Sequence, residues 1–62
     1  MTLICKKFYT SGYKRGVNTG ESVVITQLSP TMSRIDTENG EFIDTILNAE
    51  LSIYFKTNKG MF

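Results

Sequence analysis

Four carboxylates, Asp36, Glu38, Glu41 and Asp44, crowd around the pair Asn39-Gly40 and are the first residues whose type and spacing could do chemistry. Clustered acids raise the question of a calcium or magnesium site, but this spacing matches no calcium loop, and the tip of a hairpin is ordinarily acidic and solvated. Their better use is a negative face that steers a basic partner or imitates the charge of a nucleic acid. The chain contains no histidine, which removes the commonest general base and the commonest metal ligand together. Serine and threonine are plentiful, yet a nucleophile needs a base, and only carboxylates, lysines and tyrosines are there to serve. The stretch from Gly16 to Ser22 superficially resembles a phosphate loop, but it lacks the closing Gly-Lys-Ser/Thr and leads into a strand instead of a helix. A single cysteine, Cys5, rules out an intramolecular disulfide and a cysteine-based zinc site, and its apolar neighbours place it as a packing residue. The expectation is a protein with no catalytic residues, no metal and no cofactor.

Binding is better represented than catalysis. The segment from Lys6 to Arg15 interleaves Lys6, Lys7, Lys14 and Arg15 with Phe8, Tyr9 and Tyr13. Cations that follow phosphates and flat rings on which bases stack are the equipment of a single-strand RNA or DNA binder, with Lys6, Tyr9, Tyr13, Lys14, Arg15 and Lys56 as its contacts. The plainer reading of the same residues is an edge strand with Phe8 in the core and Lys6 as an outward solubiliser. Charge is sorted along the chain: residues 1–20 sum to +4, residues 21–50 to −5 and residues 51–62 to +2. The total is only +1 and the isoelectric point about 7.9, below the strongly basic value above about 9 of a typical nucleic-acid binder. A protein partner fits this pattern better, with Phe42, Arg34, Asp36, Asp44 and Tyr54 as its candidate face. Tyr54-Phe55 and Met61-Phe62 complete the apolar excess: one ring of the first pair must point outward in a strand, unless the second pair folds back to cover it.

The elements that hold these residues can be read in outline. Leu3 to Thr10 is β-prone, Ser11 to Gly20 reads as a long, mobile, basic loop with little to bury, and Ser22 to Leu28 reads as a central strand closed by Ser29-Pro30. Asn39-Gly40 marks a hairpin. A two-residue loop would set Glu38 opposite Glu41 and Ile35 opposite Asp44. A three-residue loop, Glu38-Asn39-Gly40, pairs Ile35 with Ile43 and Arg34 with Asp44 and gives Gly40 the left-handed conformation of a bulge. The second arrangement is preferred, and it puts Arg34, Asp36, Phe42 and Asp44 together on the outer face. From Glu41 onward two readings compete. A helix over 41–58 would carry a polar stripe from Glu41 to Lys59, whereas the alternation from Leu47 to Ile53 favours strand. The strand reading is preferred: strand to Ile46, a short irregular turn near Asn48 to Glu50, and a last strand from Leu51 to Thr57.

Five short strands with a long first loop, a tight hairpin and a brief turn before the last strand, spanning Leu3 to Thr57, resemble a small SH3-like barrel. The resemblance implies a mainly β, five-stranded barrel or a strongly bent antiparallel sheet, the alternative being three strands and a C-terminal helix. It also implies a binding surface near Tyr9, Tyr13, Lys14 and Arg15. A chain of 62 residues is one domain at most and is marginally stable alone, so help from a second copy or a partner is expected. No apolar run reaches the length of a membrane span, and the first residues run into strand-like sequence instead of a signal peptide. The expected function is a cytoplasmic, non-enzymatic module that binds and modulates a larger protein, as the small accessory proteins of phages and mobile elements inhibit or redirect host machinery. The alternatives are a single-stranded nucleic-acid binder and a structural subunit of a homo-oligomer.

Overall fold

The computed structural model describes residues 1–13 and 15–57; Lys14, Lys59 and the pair Met61-Phe62 fall outside the described residues. The chain is mainly β. Its strands are β1 (Thr2–Cys5), β2 (Tyr9–Thr10), β3 (Gly16–Val17), β4 (Ser22–Gln27), β5 (Met32–Asp36), β6 (Phe42–Leu47) and β7 (Phe55–Thr57), with one helix, α1 (Asn48–Tyr54), before the last strand. Five strands form one antiparallel sheet in the order β6-β5-β4-β1-β7, and β2 pairs with β3 in a separate ribbon.

Alternation along β1, β4 and β5 builds the core directly. Leu3, Cys5, Val23, Ile25, Ser33 and Ile35 are buried on one face, while Thr2, Thr26 and Arg34 stand exposed on the other. β4 is rich in β-branched residues, pairs on both sides and lies at the centre of the sheet, as its sequence indicates. Val17, Ile43, Ile46 and Phe55 complete a single cluster with those residues.

That one cluster draws on nearly every strand because the sheet is bent. Its two edges, β6 and β7, are joined by α1 alone. Seven helical residues rise about 10 Å, whereas the outer strands of a flat five-stranded sheet lie about 19 Å apart. The edges therefore curl toward each other, yet among the described residues β6 and β7 do not pair, so no barrel closes. Of the two forms expected from the sequence, the bent antiparallel sheet is the one adopted.

The hairpin loop is the three-residue one. The Thr37 N–H donates to the Glu41 carbonyl at 2.8 Å, the Gly40 N–H donates to the Thr37 carbonyl at 2.9 Å, and Gly40 has φ +89°. A Cβ at Gly40 meets open space, so the cost of a side chain there is conformational and not steric. Gly40→Ala is expected to lower stability by about 1 kcal/mol. Gly12, which has equal space and no left-handed backbone, should accept alanine with no measurable loss; paired urea denaturation curves check both.

The register beyond the loop corrects the sequence reading. Asp36 pairs with Phe42, as the three-residue loop dictates, but Ile35 then pairs with Asp44 and Arg34 with Thr45, leaving Ile43 as a bulge. The reason is burial: Ile43 and Ile46 are three residues apart and both belong in the core, which strict alternation forbids and one extra residue allows. Paired residues share a face, so Asp44 joins the side of Ile35 and leaves the outer face assigned to it with Arg34, Asp36 and Phe42.

Two further expectations are overturned. The helix over 41–58 and the strand beginning at Leu51 both give way to strand to Leu47, helix from Asn48 to Tyr54 and strand from Phe55. Asn48 decides this. Its side-chain amide donates to the Ser29 and Pro30 carbonyls, its N–H donates to the Thr31 carbonyl at 2.8 Å, and its Oδ1 accepts from the Ser33 hydroxyl. The chain is thereby tied to the β4–β5 turn and starts the helix without a side-chain N-cap, while Leu51 and Tyr54, three residues apart, pack on the core. The predicted first strand from Leu3 to Thr10 breaks after Cys5, and the glycine-rich stretch after it is no featureless loop: Val17 is buried and β3 folds back on β2.

Candidate binding face

Tyr9 is the residue from which the face is built. It starts β2, packs over the core against Phe55 with ring centroids 5.8 Å apart, and meets the Tyr54 ring edge-on at 5.1 Å. Its hydroxyl donates to Asp44 Oδ2 at 2.7 Å, the carboxylate that the bulge at Ile43 has turned inward. Burial holds the Tyr9 phenol protonated well beyond the ordinary tyrosine range, reinforced by the hydrogen bond to Asp44, by the Asp44 charge, and by Glu50 and Tyr54.

That shift has a sign. Below the ordinary tyrosine value of 10 the phenol is protonated whether the chain is folded or not, and its contribution to stability is complete. Above that value the unfolded chain loses the proton and the folded chain does not, so stability falls as pH rises. Tyr9→Phe should remove this part of the alkaline decline and, by deleting a hydrogen bond to a charged acceptor, cost roughly 1.5–3 kcal/mol at neutral pH. Denaturation of both proteins at neutral and strongly alkaline pH measures the two effects separately.

Asp44 also receives the Gly12 N–H at 3.4 Å, which draws the segment after β2 across β6. That segment is held by a turn of its own. The buried Ser11 hydroxyl oxygen accepts the N–H groups of Tyr13 and Arg15, both at 3.1 Å, and the Ser11 N–H donates to the Arg15 carbonyl. Tyr13 is thus placed on Phe42, with centroids 5.6 Å apart and planes at 67°. The Arg34 guanidinium carbon lies 5.0 Å from the Phe42 centroid while its Nε holds Asp36 Oδ1 at 2.7 Å. Arg15 lies 3.7 Å from Glu41, and Lys7 Nζ stands 5.8 Å from the Tyr54 centroid.

The contacts run without a gap from Lys7 through Tyr54, Tyr9, Asp44, Gly12, Tyr13 and Phe42 to Arg34 and Asp36. Tyr9 and Tyr13 of one candidate set are thereby linked through Asp44 and Gly12 to Phe42, Arg34 and Asp36 of the other. Tyr13 is 67% exposed and Phe42 36%, so the outer pair of rings is available to a partner while Tyr9 and Tyr54 are half-buried behind it. Of the other described cations, Lys6 is exposed just after β1 with its N–H donating to the Tyr54 carbonyl at 2.7 Å, and Lys56 pairs with Ile4 on the outer face of the sheet. The acids around the hairpin are engaged separately, Asp36 by Arg34, Glu41 by Arg15 and Asp44 by Tyr9, with Glu38 exposed at the tip.

Sequence reasoning missed the partners that join the face, Lys7 against Tyr54 and Glu41 against Arg15, and the turn of Asp44. The Ile43-x-x-Ile46 spacing was the available signal for the bulge behind that turn. Cys5 stands apart from all of it, buried in the core with its thiol donating to the Lys7 carbonyl at 3.0 Å, and burial raises its pKa. No helix among the described residues is long and apolar enough to cross a membrane.

No family model matches the chain, and no curated protein or solved structure shows significant similarity to it.

Proposed function

We propose that this chain is a non-enzymatic binding module that docks on a larger protein through the Tyr54–Tyr9–Tyr13–Phe42 face and changes that protein's activity. The observation that carries the reading is the contact between Tyr13 and Phe42, which joins the segment after β2 to the hairpin strand and leaves both rings open to solvent. Tyrosine, phenylalanine and arginine anchors, with charges neutralised locally, are the composition of the energetic centre of a protein interface. The pairing of Arg34 with Asp36 and Arg15 with Glu41 supports the same partner class, because cations already committed to acids are poorly placed to follow a run of phosphates.

The SH3-like likeness belongs to this proposal. The N-terminal and C-terminal strands lie side by side and a short helix precedes the last strand, which supports the likeness, although the sheet stays open. Fold likeness chooses no ligand, so the partner class rests on the face itself. The chain's size and its lack of histidine extend the reading to a cytoplasmic accessory protein of a phage or mobile element that inhibits or redirects host machinery.

Affinity capture from source-cell lysate, with and without nuclease, tests the reading. One stoichiometric protein retained after nuclease is expected. Recovery of nucleic acid alone, or loss of all retained material on nuclease treatment, would replace it with the single-stranded RNA or DNA reading on Lys6, Tyr9, Tyr13, Lys14, Arg15 and Lys56.

A further inference from the structure

Asn39 and Gly40 stand exposed at the tip of the hairpin, and they carry groups that can react with each other. An asparagine side-chain amide and the backbone nitrogen of the next residue can close a five-membered ring, and the usual obstacle is the next residue's side chain. Glycine has none. A Cβ at Gly40 would meet nothing within 4 Å, so no neighbour crowds the approach either. The Asn39 side chain takes part in no hydrogen bond among the described residues.

The other described asparagines are protected. Asn48 donates its amide to the Ser29 and Pro30 carbonyls and accepts the Ser33 hydroxyl on Oδ1, so its side chain must break all three bonds before it can turn onto Ala49. Asn18 precedes Thr19, whose branched Cβ covers the nitrogen that would attack. At Asn39 the restraint is the Gly40 N–H, which donates to the Thr37 carbonyl at 2.9 Å and so holds the proton that the nitrogen must lose. That is one bond at an exposed tip. Its net worth is small, and such a tip opens locally far more often than the whole chain unfolds.

We infer that Asn39 is a self-modification site of the folded chain, which converts through a cyclic imide with Gly40 to aspartate and isoaspartate, and that the isoaspartyl form loosens the hairpin. The Gly40 nitrogen gives its proton to solvent base and attacks Asn39 Cγ. The new N–Cγ bond closes the imide, the Cγ–Nδ2 bond breaks, and the side-chain nitrogen leaves as ammonia with a proton from water. Water then adds to either imide carbonyl. Opening at Cγ gives aspartate, and opening at the main-chain carbonyl carbon leaves the backbone running through Cβ and Cγ. Both products put a new carboxylate between Glu38 and Glu41. Only isoaspartate lengthens the backbone. It does so inside a loop closed by the Thr37 N–H to the Glu41 carbonyl at 2.8 Å and by the Glu41 N–H to Thr37 Oγ1 at 3.0 Å, contacts that fit a loop of the original length. The inference stands whether or not the aromatic face binds a protein.

Peptide mass spectrometry of the full chain, incubated folded in mildly alkaline buffer, tests this. Exchange of the side-chain NH2 for OH should appear at Asn39 at a rate about tenfold or more above Asn18 and Asn48, as the missing Cβ requires. Loss of a single exposed hydrogen bond should leave the folded rate within about tenfold of that in guanidinium chloride. Asn39→Gln, whose imide ring is larger, should show no conversion over the same time. The isoaspartyl form, separated by chromatography, should melt about 5 °C or more below the parent, and Asn39→Asp, with the charge but not the longer backbone, should melt close to it. Conversion seen only in the unfolded chain, or equally fast at Asn18 and Asn48, overturns the modification site. An isoaspartyl form that melts with the parent overturns the loosening.

Discussion

Phe55→Ala is expected to leave the protein largely unfolded at room temperature. Phe55 is fully buried, the largest side chain in the core, and it sits on β7 where the last strand pairs with β1. Truncating a buried phenylalanine costs about 3–5 kcal/mol, and a chain of this length has roughly 3–9 kcal/mol in all. The loss falls on a strand of only three residues that stands last in the sheet order, next to β1. Phe8 is the matched control, because it is 54% exposed and its ring edge lies over Gly16. Phe8→Ala should cost under about 1 kcal/mol. Thermal or urea unfolding of the two variants, followed by circular dichroism, reads the contrast directly; comparable losses at both sites would contradict the core assigned here.

The second large effect concerns binding. Tyr13→Ala together with Phe42→Ala should abolish capture of the protein partner while leaving the fold intact. Both rings are exposed, touch each other, and belong to no part of the core cluster, so removing them opens no cavity in it. At an interface, each such anchor is worth about 2 kcal/mol or more, which for the pair amounts to roughly a thousandfold in affinity. Tyr9→Phe should act differently. It keeps the ring against Tyr54 and Phe55 but releases Asp44, so stability falls before binding does.

What could be read in advance was local. The Glu38-Asn39-Gly40 loop follows from charge repulsion and the left-handed preference of glycine, and the central strand Ser22–Gln27 follows from its β-branched run. What could not be read was set across the fold. Asp44 meets Tyr9 across 35 residues, and only the bulge that keeps both Ile43 and Ile46 buried turns it there. The seven residues of α1 carry no N-cap and alternate well enough for a strand. Their helix is imposed by Asn48 and by the need to join the two edges of a bent sheet. Val17, alone among glycines and polar residues, offers no periodicity, yet β2 brings it into the core. The aromatic residues were recognised one by one. Their linkage in space required the Ser11 turn, which has no sequence signature, and the Asp44 anchor, whose trace in the sequence is the Ile43-x-x-Ile46 spacing.

The central claim is that Tyr13 and Phe42 form the contact for a protein partner. Its most direct test captures from one nuclease-treated lysate with the parent chain and the Tyr13→Ala/Phe42→Ala variant side by side, both confirmed folded. The account predicts one stoichiometric protein on the parent and its absence from the variant. The same protein retained equally by both would contradict it.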